Sequence, residues 1–99
     1  MYRSKSYDEE LSERLQDRKY ARGFLLTLME GEDGLSLEEA LKVTIERMGI
    51  KEFSKLSKIA SPNVVRMVKG RVQPTLPTFD RFLAVFGLKA EIRPVKKVA

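Results

Sequence analysis

An all-α fold is the expectation, and three features carry it. Apolar residues recur at three- and four-residue spacing along most of the chain, the period that lines up one face of a helix. Residues that start and stop helices stand at the ends of those stripes, with Ser36 and Pro62 at starts and Gly49 and Gly87 at stops. Alternation at two-residue spacing is confined to a loose pattern in "LKAEIRPV", residues 88–95.

Taken in order, Tyr7, Leu11 and Leu15 recur every four residues, and Asp8, Glu9 and Glu10 sit where the positive end of a helix dipole favours carboxylates. A first helix is expected there. The period lapses around Asp17 to Lys19 and resumes with Phe24, Leu25, Leu28 and Met29, a second short helix closed by "EGEDG", with Gly31 and Gly34 in its exit loop. Ser36-Leu37-Glu38-Glu39 fits a capping box, in which hydroxyl and carboxylate satisfy backbone amides reciprocally. The third helix puts Leu37, Leu41, Thr44, Ile45 and Met48 on one face, and Gly49 is placed to end it in a left-handed conformation. Two short patterns follow from Ile50 to Gly70. Beyond the loop "RVQPT", Leu76, Phe79, Phe82, Leu83 and Phe86 form a last helix with Gly87 as its stop. A short extended tail or C-terminal strand is expected next, with Leu88, Ala90 and Ile92 on one side.

At 99 residues the chain has the size of one domain, expected to cover 1–99. Its 42% hydrophobic and 33% charged residues are the composition of a folded globule rather than a disordered chain. With neither Cys nor His, disulfides, thiolate chemistry and Ser-His or Cys-His nucleophiles are excluded, and most zinc sites with them. No paired catalytic carboxylates and no phosphate-binding Gly loop stand out, so neither an enzyme nor a metal or cofactor site is expected. Apolar runs fall short of the roughly 18 residues that span a bilayer, and the first twenty residues are too charged for a secretory signal. A cytoplasmic location without membrane contact is the expectation.

Charge is divided unevenly along the chain. Residues 1–50 hold 8 Lys/Arg against 11 Asp/Glu, a balance of −3, and residues 51–99 hold 11 against 3, a balance of +8. So basic a half attracts polyanions, while the acidic half repels them. A basic surface kept for solubility is the plainer explanation of the same asymmetry.

The stretch "FSKLSKIASPNVVRMVKG", Phe53 to Gly70, fits a helix-turn-helix, two helices held at a steep angle across a turn of about three or four residues. With the first helix running from about Lys51 to Ser57, Phe53 and Leu56 face inward, and Ser54 is small where the next helix crosses closely. Ile59 plugs the turn. Ser61 is expected to cap the second helix and Pro62 to occupy its first turn, where a missing N–H is harmless. Val64, Met67 and Val68 then point to the core, leaving Ser61, Asn63, Val65, Arg66 and Lys69 outside or at the margin.

These eighteen residues resemble, without a gap, the pattern of Xre/Cro-type helix-turn-helix domains, roughly "LAxLTGIxxSTVSRILxG". The following "QPTLPTFDRFLAVFGLKAEI" is similar to that family's "NPTLxTLLKIxxALGLxLxx". Further upstream, Tyr7, Leu11, Leu15, Asp17, Phe24, Leu25, Met29, Glu30 and Gly31 resemble the antidote proteins of addiction modules, the HigA-like antitoxins. The fold this resemblance implies is a five-helix lambda-repressor-like helix-turn-helix domain with short N-terminal helices. Residues 7–34 form the N-terminal extension, 35–88 the DNA-binding core and 89–99 an extended tail. One position departs from the pattern: Lys58 stands where the family usually has Gly, and a positive φ there costs a side chain roughly 1–2 kcal/mol.

On this reading the N-terminal part of the helix from Ser61 to Lys69 enters the major groove. Arg66 is the expected base reader, because a guanidinium bridges O6 and N7 of guanine. Asn63 suits adenine or a phosphate, Ser61 or Val65 a thymine edge, and Pro62 offers apolar contact only. Lys55, Lys58, Lys69 and Arg71 suit the phosphate backbone, where a point charge is enough. A module this small makes few phosphate contacts, so a homodimer on a palindromic operator is expected. The resemblance further implies a transcriptional repressor that is the antitoxin of a type II toxin–antitoxin module, binding a small toxin and autoregulating its operon. The alternative is a helical protein-interaction or RNA-binding module with a basic face.

Overall fold

Serine hydroxyls start two of the helices. In the computed structural model, which describes residues 6–71 and 74–90, Ser6 and Glu9 form a capping box at the head of α1 (Tyr7–Leu15). Ser36 and Glu39 form the expected one at the head of α3 (Leu37–Met48). Between them α2 (Arg18–Leu28) begins where the apolar period lapses, because Asp17 accepts from the amides of Lys19 and Tyr20 and so satisfies two orphan donors. The chain continues through α4 (Ile50–Ser57), α5 (Ser61–Val68) and α6 (Leu76–Leu83) into a 3-10 turn, Ala84–Phe86. Counted with the two N-terminal helices, the described residues hold six α-helices and no strand: the fold is all-α.

The tail differs from the expected strand as far as Ala90. The amide of Leu88 donates to the Leu83 carbonyl and that of Ala90 to the Asp80 carboxylate, so these donors are spent on α6 rather than on a strand partner. Ile92 and the remainder of the expected tail lie outside the described residues. No helix among the described residues is long and apolar enough to cross a membrane.

α3 is the central element, packed against α1, α2, α4 and α5. Its buried face is Ala40, Leu41, Thr44, Ile45 and Met48, and Thr44, the polar member, donates its hydroxyl to the Ala40 carbonyl at 2.8 Å. Leu11 and Leu15 from α1 and Ala21 and Leu25 from α2 join the same cluster of buried side chains. Tyr7 does not follow the stripe it was expected to extend: it is 76% exposed. Ser12 hydrogen-bonds the carbonyl of Met48 and ties α1 to the end of α3.

Gly49 ends α3 as expected, but at φ 112°, ψ 134° rather than in the left-handed helical well. The reason is that α4 starts at once: Gly49 accepts from the amide of Phe53 and serves as the junction of two abutting helices. Phe53 then anchors α4. Fully buried, it stacks on Phe82 of α6 with ring centroids 5.6 Å apart and packs 6.0 Å from Phe86.

Three residues, Lys58 to Ala60, join α4 to α5. Lys58 adopts φ 61°, ψ 21°, the positive φ that its alignment with a glycine position implied, and it is the one described non-glycine residue in that region. The turn is braced by two serines: Ser54 donates to the Ile59 carbonyl at 2.6 Å, and Ser57 accepts from the Ile59 amide at 3.1 Å. Lys58→Gly relieves the Cβ strain and gives back part of the gain through a freer unfolded chain, leaving about 0.5–1 kcal/mol of stabilisation. A thermal melt should show a midpoint a few degrees higher; a lower midpoint would remove the strain argument.

Candidate nucleic-acid interface

α5 is a short helix held on one side only. Val64 and Met67 are buried, with Ile59 buried in the turn before them, and these side chains face the aromatic cluster built on Phe53. At about 100° per residue the direction opposite that buried edge is shared by Pro62, Val65, Arg66 and Lys69. Pro62, Arg66 and Lys69 are exposed and Val65 is partly so. Asn63 lies on one flank of this face and Ser61 on the other, both exposed.

The start of α5 corrects one expectation. Ala60, not Ser61, is the N-cap: its carbonyl accepts from the amides of Asn63 and Val64, and Ser61 becomes the first helical residue with Pro62 second. No side chain caps this end, in contrast to α1 and α3, and no carboxylate sits in its first turn, in contrast to α1, α3 and α4. The positive end of the helix dipole is therefore not neutralised from within. The far end is closed by a Schellman motif. Gly70, at φ 67°, donates to the Met67 carbonyl at 3.2 Å and Arg71 to the Arg66 carbonyl at 3.0 Å, which folds Arg71 back against the end of α5.

Of the sequence-predicted residues, Asn63 and Arg66 come together on one side of α5. They line a cleft of about 240 Å³ with Ile59, Pro74 and, from α6, Thr78 and Arg81. Val65 and Lys69 belong to a different cleft, on the side of α3 and α4, shared with Glu46, Ile50 and Val68. Lys55 on α4 and Lys58 in the turn are exposed, as is Arg71. Among the described residues the ion pairs are Lys42 with Glu38 at 3.5 Å and Arg47 with Asp8 at 4.0 Å, and none engages Lys55, Lys58, Arg66, Lys69, Arg71 or Arg81. Among the described residues, the cations on and beside α5 are thus free of ion pairs.

No family model, curated protein or solved structure matches this chain.

Arg and Lys side chains only donate, Asn both donates and accepts, and the exposed part of Val65 gives a small apolar spot between them. Such a face can bond acceptors at base edges and phosphates. Thr78 and Arg81 were absent from the residues assigned on sequence. They stand three apart on "LPTFDRFL", hence side by side on α6, and that spacing was the available signal. A third, separate concavity lies along α2, lined by Lys19, Tyr20, Gly23, Phe24, Thr27 and Leu28, with Leu26 of the same helix 44% exposed.

Proposed function

We propose that this protein is a sequence-specific transcriptional repressor that binds duplex DNA, with α4 and α5 as its helix-turn-helix and α5 as the helix that enters the major groove. The observation that carries the reading is the two-sidedness of α5: Val64 and Met67 sealed in the core, and Pro62, Val65, Arg66 and Lys69 turned outward with unpaired cations. A helix so mounted presents side chains to base edges on a support that does not yield. Arg66 reads guanine, Asn63 contacts adenine or a neighbouring phosphate, and Ser61, Pro62 and Val65 supply the thymine and apolar contacts. Lys55, Lys58, Lys69 and Arg71 hold the backbone.

The protein acts as a homodimer on a palindrome, two copies of α5 reaching half-sites about one helical turn apart. The likeness of residues 7–31 to addiction-module antidotes extends the proposal to an antitoxin that binds a small toxin and represses their shared operon. The surplus of carboxylates in residues 1–50 supports that second binding role, since a basic partner meets complementary charge on that half of the chain. A pull-down with the product of the adjacent gene tests it; no complex would leave the repressor alone.

The repressor reading is tested by a gel shift with the protein's own promoter and with random duplex over a range of salt concentrations. Preference for the promoter that survives added salt is expected, because base contacts persist while the counterion-driven term weakens. Equal affinity for both duplexes would favour instead a basic helical module that binds RNA or an acidic protein.

A further inference from the structure

Arg81 and Arg66 reach one cleft from two different helices, and neither has a carboxylate partner. Asp80, the acidic neighbour of Arg81 in sequence, is engaged elsewhere, accepting from the Ala90 amide at 2.8 Å. Two like charges thus line one concavity, with no ion-pair partner for either among the described residues. The rest of the lining is of a kind that receives an anion: the Asn63 amide and the Thr78 hydroxyl can each donate. The floor is apolar, formed by Ile59, Met67 and Phe82, all buried, so the groups above it are mounted on packed core rather than on a mobile loop.

From this arrangement we infer that the cleft between α5 and α6 is a phosphate seat and that Arg81 is its anchor. The ligand is one phosphodiester of the nucleic-acid backbone, on the flank of the groove that α5 enters; the inference rests on the nucleic-acid reading above. Arg81 occupies the α6 side of the seat, and Arg66 is thereby left to turn its fork toward a base edge. The backbone-contacting set accordingly extends beyond the helix-turn-helix to a residue that follows it by a whole loop. A phosphate contact requires charge but not a planar fork, so a lysine should serve at position 81, whereas base reading at position 66 requires the fork.

The test is a fluorescence titration of the full chain against the promoter duplex and a random duplex at several salt concentrations. The proteins are the parent, Arg81→Ala, Arg81→Lys and, as a control for lost charge elsewhere, Lys19→Ala on α2. Arg81→Ala should lower the slope of log affinity against log salt by about one and weaken both duplexes by the same factor, leaving their ratio unchanged. Arg81→Lys should keep the parent slope, and Lys19→Ala should too. Circular dichroism confirms that each variant is folded at the assay temperature. A slope for Arg81→Ala equal to that of Lys19→Ala would overturn the phosphate seat while leaving promoter preference, and with it the repressor reading, intact. A fall in the promoter-to-random ratio on Arg81→Ala would also overturn it, by making Arg81 a base reader. If the parent shows no affinity for either duplex, the seat and the reading beneath it fall together.

Discussion

Phe53→Ala is expected to remove about 3–5 kcal/mol of stability, the range for truncating a buried aromatic ring. Phe53 is fully buried and stacks on Phe82 while touching Phe86, so its loss opens a void where α4 meets both α6 and the 3-10 turn. Against the 5–15 kcal/mol typical of a domain, that is a large share of the total. Urea unfolding monitored by circular dichroism should show a midpoint far below that of the parent. Phe53→Leu, which refills most of the volume, should cost less than about 1.5 kcal/mol if the packing readjusts. A loss of unfolding free energy below about 1 kcal/mol for Phe53→Ala would mean that the aromatic trio does not hold α4 in place. DNA affinity should fall with the same variant, since the support of α5 is lost along with the fold.

Arg66→Ala is expected to act on binding rather than on folding. Arg66 is exposed and has no partner within the described chain, so its removal should leave the melting midpoint nearly unchanged. Its loss should cost about 1–3 kcal/mol of discrimination, a fall of roughly 5- to 150-fold in the preference for the promoter over random duplex. Lys69→Ala on the same outward face should do the reverse: it should flatten the salt dependence by about one unit of slope and weaken both duplexes alike. Parallel titrations of the two variants separate these effects. Unchanged binding in both would remove the assignment of α5 as the recognition helix.

Much of the helix order was legible because it is written locally. Ser36 with Glu39, the Leu41–Ile45–Met48 stripe and Gly87 each act within one or two turns of chain, and each appears where the pattern places it. Asp17 is the instructive case. It looked like a lapse in the apolar period, yet it is the cap that opens α2, because a break in hydrophobic spacing and a helix start are the same event seen from two sides. Ser6 and Glu9 carried the same box spacing as Ser36 and Glu39 and could have been read the same way. At α5 the cap slipped by one residue, since the Ala60 carbonyl takes the first helical bonds.

The outward residues of α5 were also legible, since 3.6-residue periodicity fixes which positions oppose Val64 and Met67. Their separation into two clefts was not. Whether Asn63 and Arg66 meet Thr78 and Arg81 depends on the angle between α5 and α6, which contacts distant in sequence decide, the Phe53–Phe82 stack foremost among them. No local pattern encodes that angle.

Backbone amide shifts in 15N-labelled protein titrated with its promoter duplex will locate the surface that DNA contacts, which the reading above places on the outward face of α5. The largest changes should run from Ser61 to Arg71 and around Arg81, with residues of α2 such as Tyr20 and Phe24 unmoved. Changes centred on α2, with α5 silent, would contradict it.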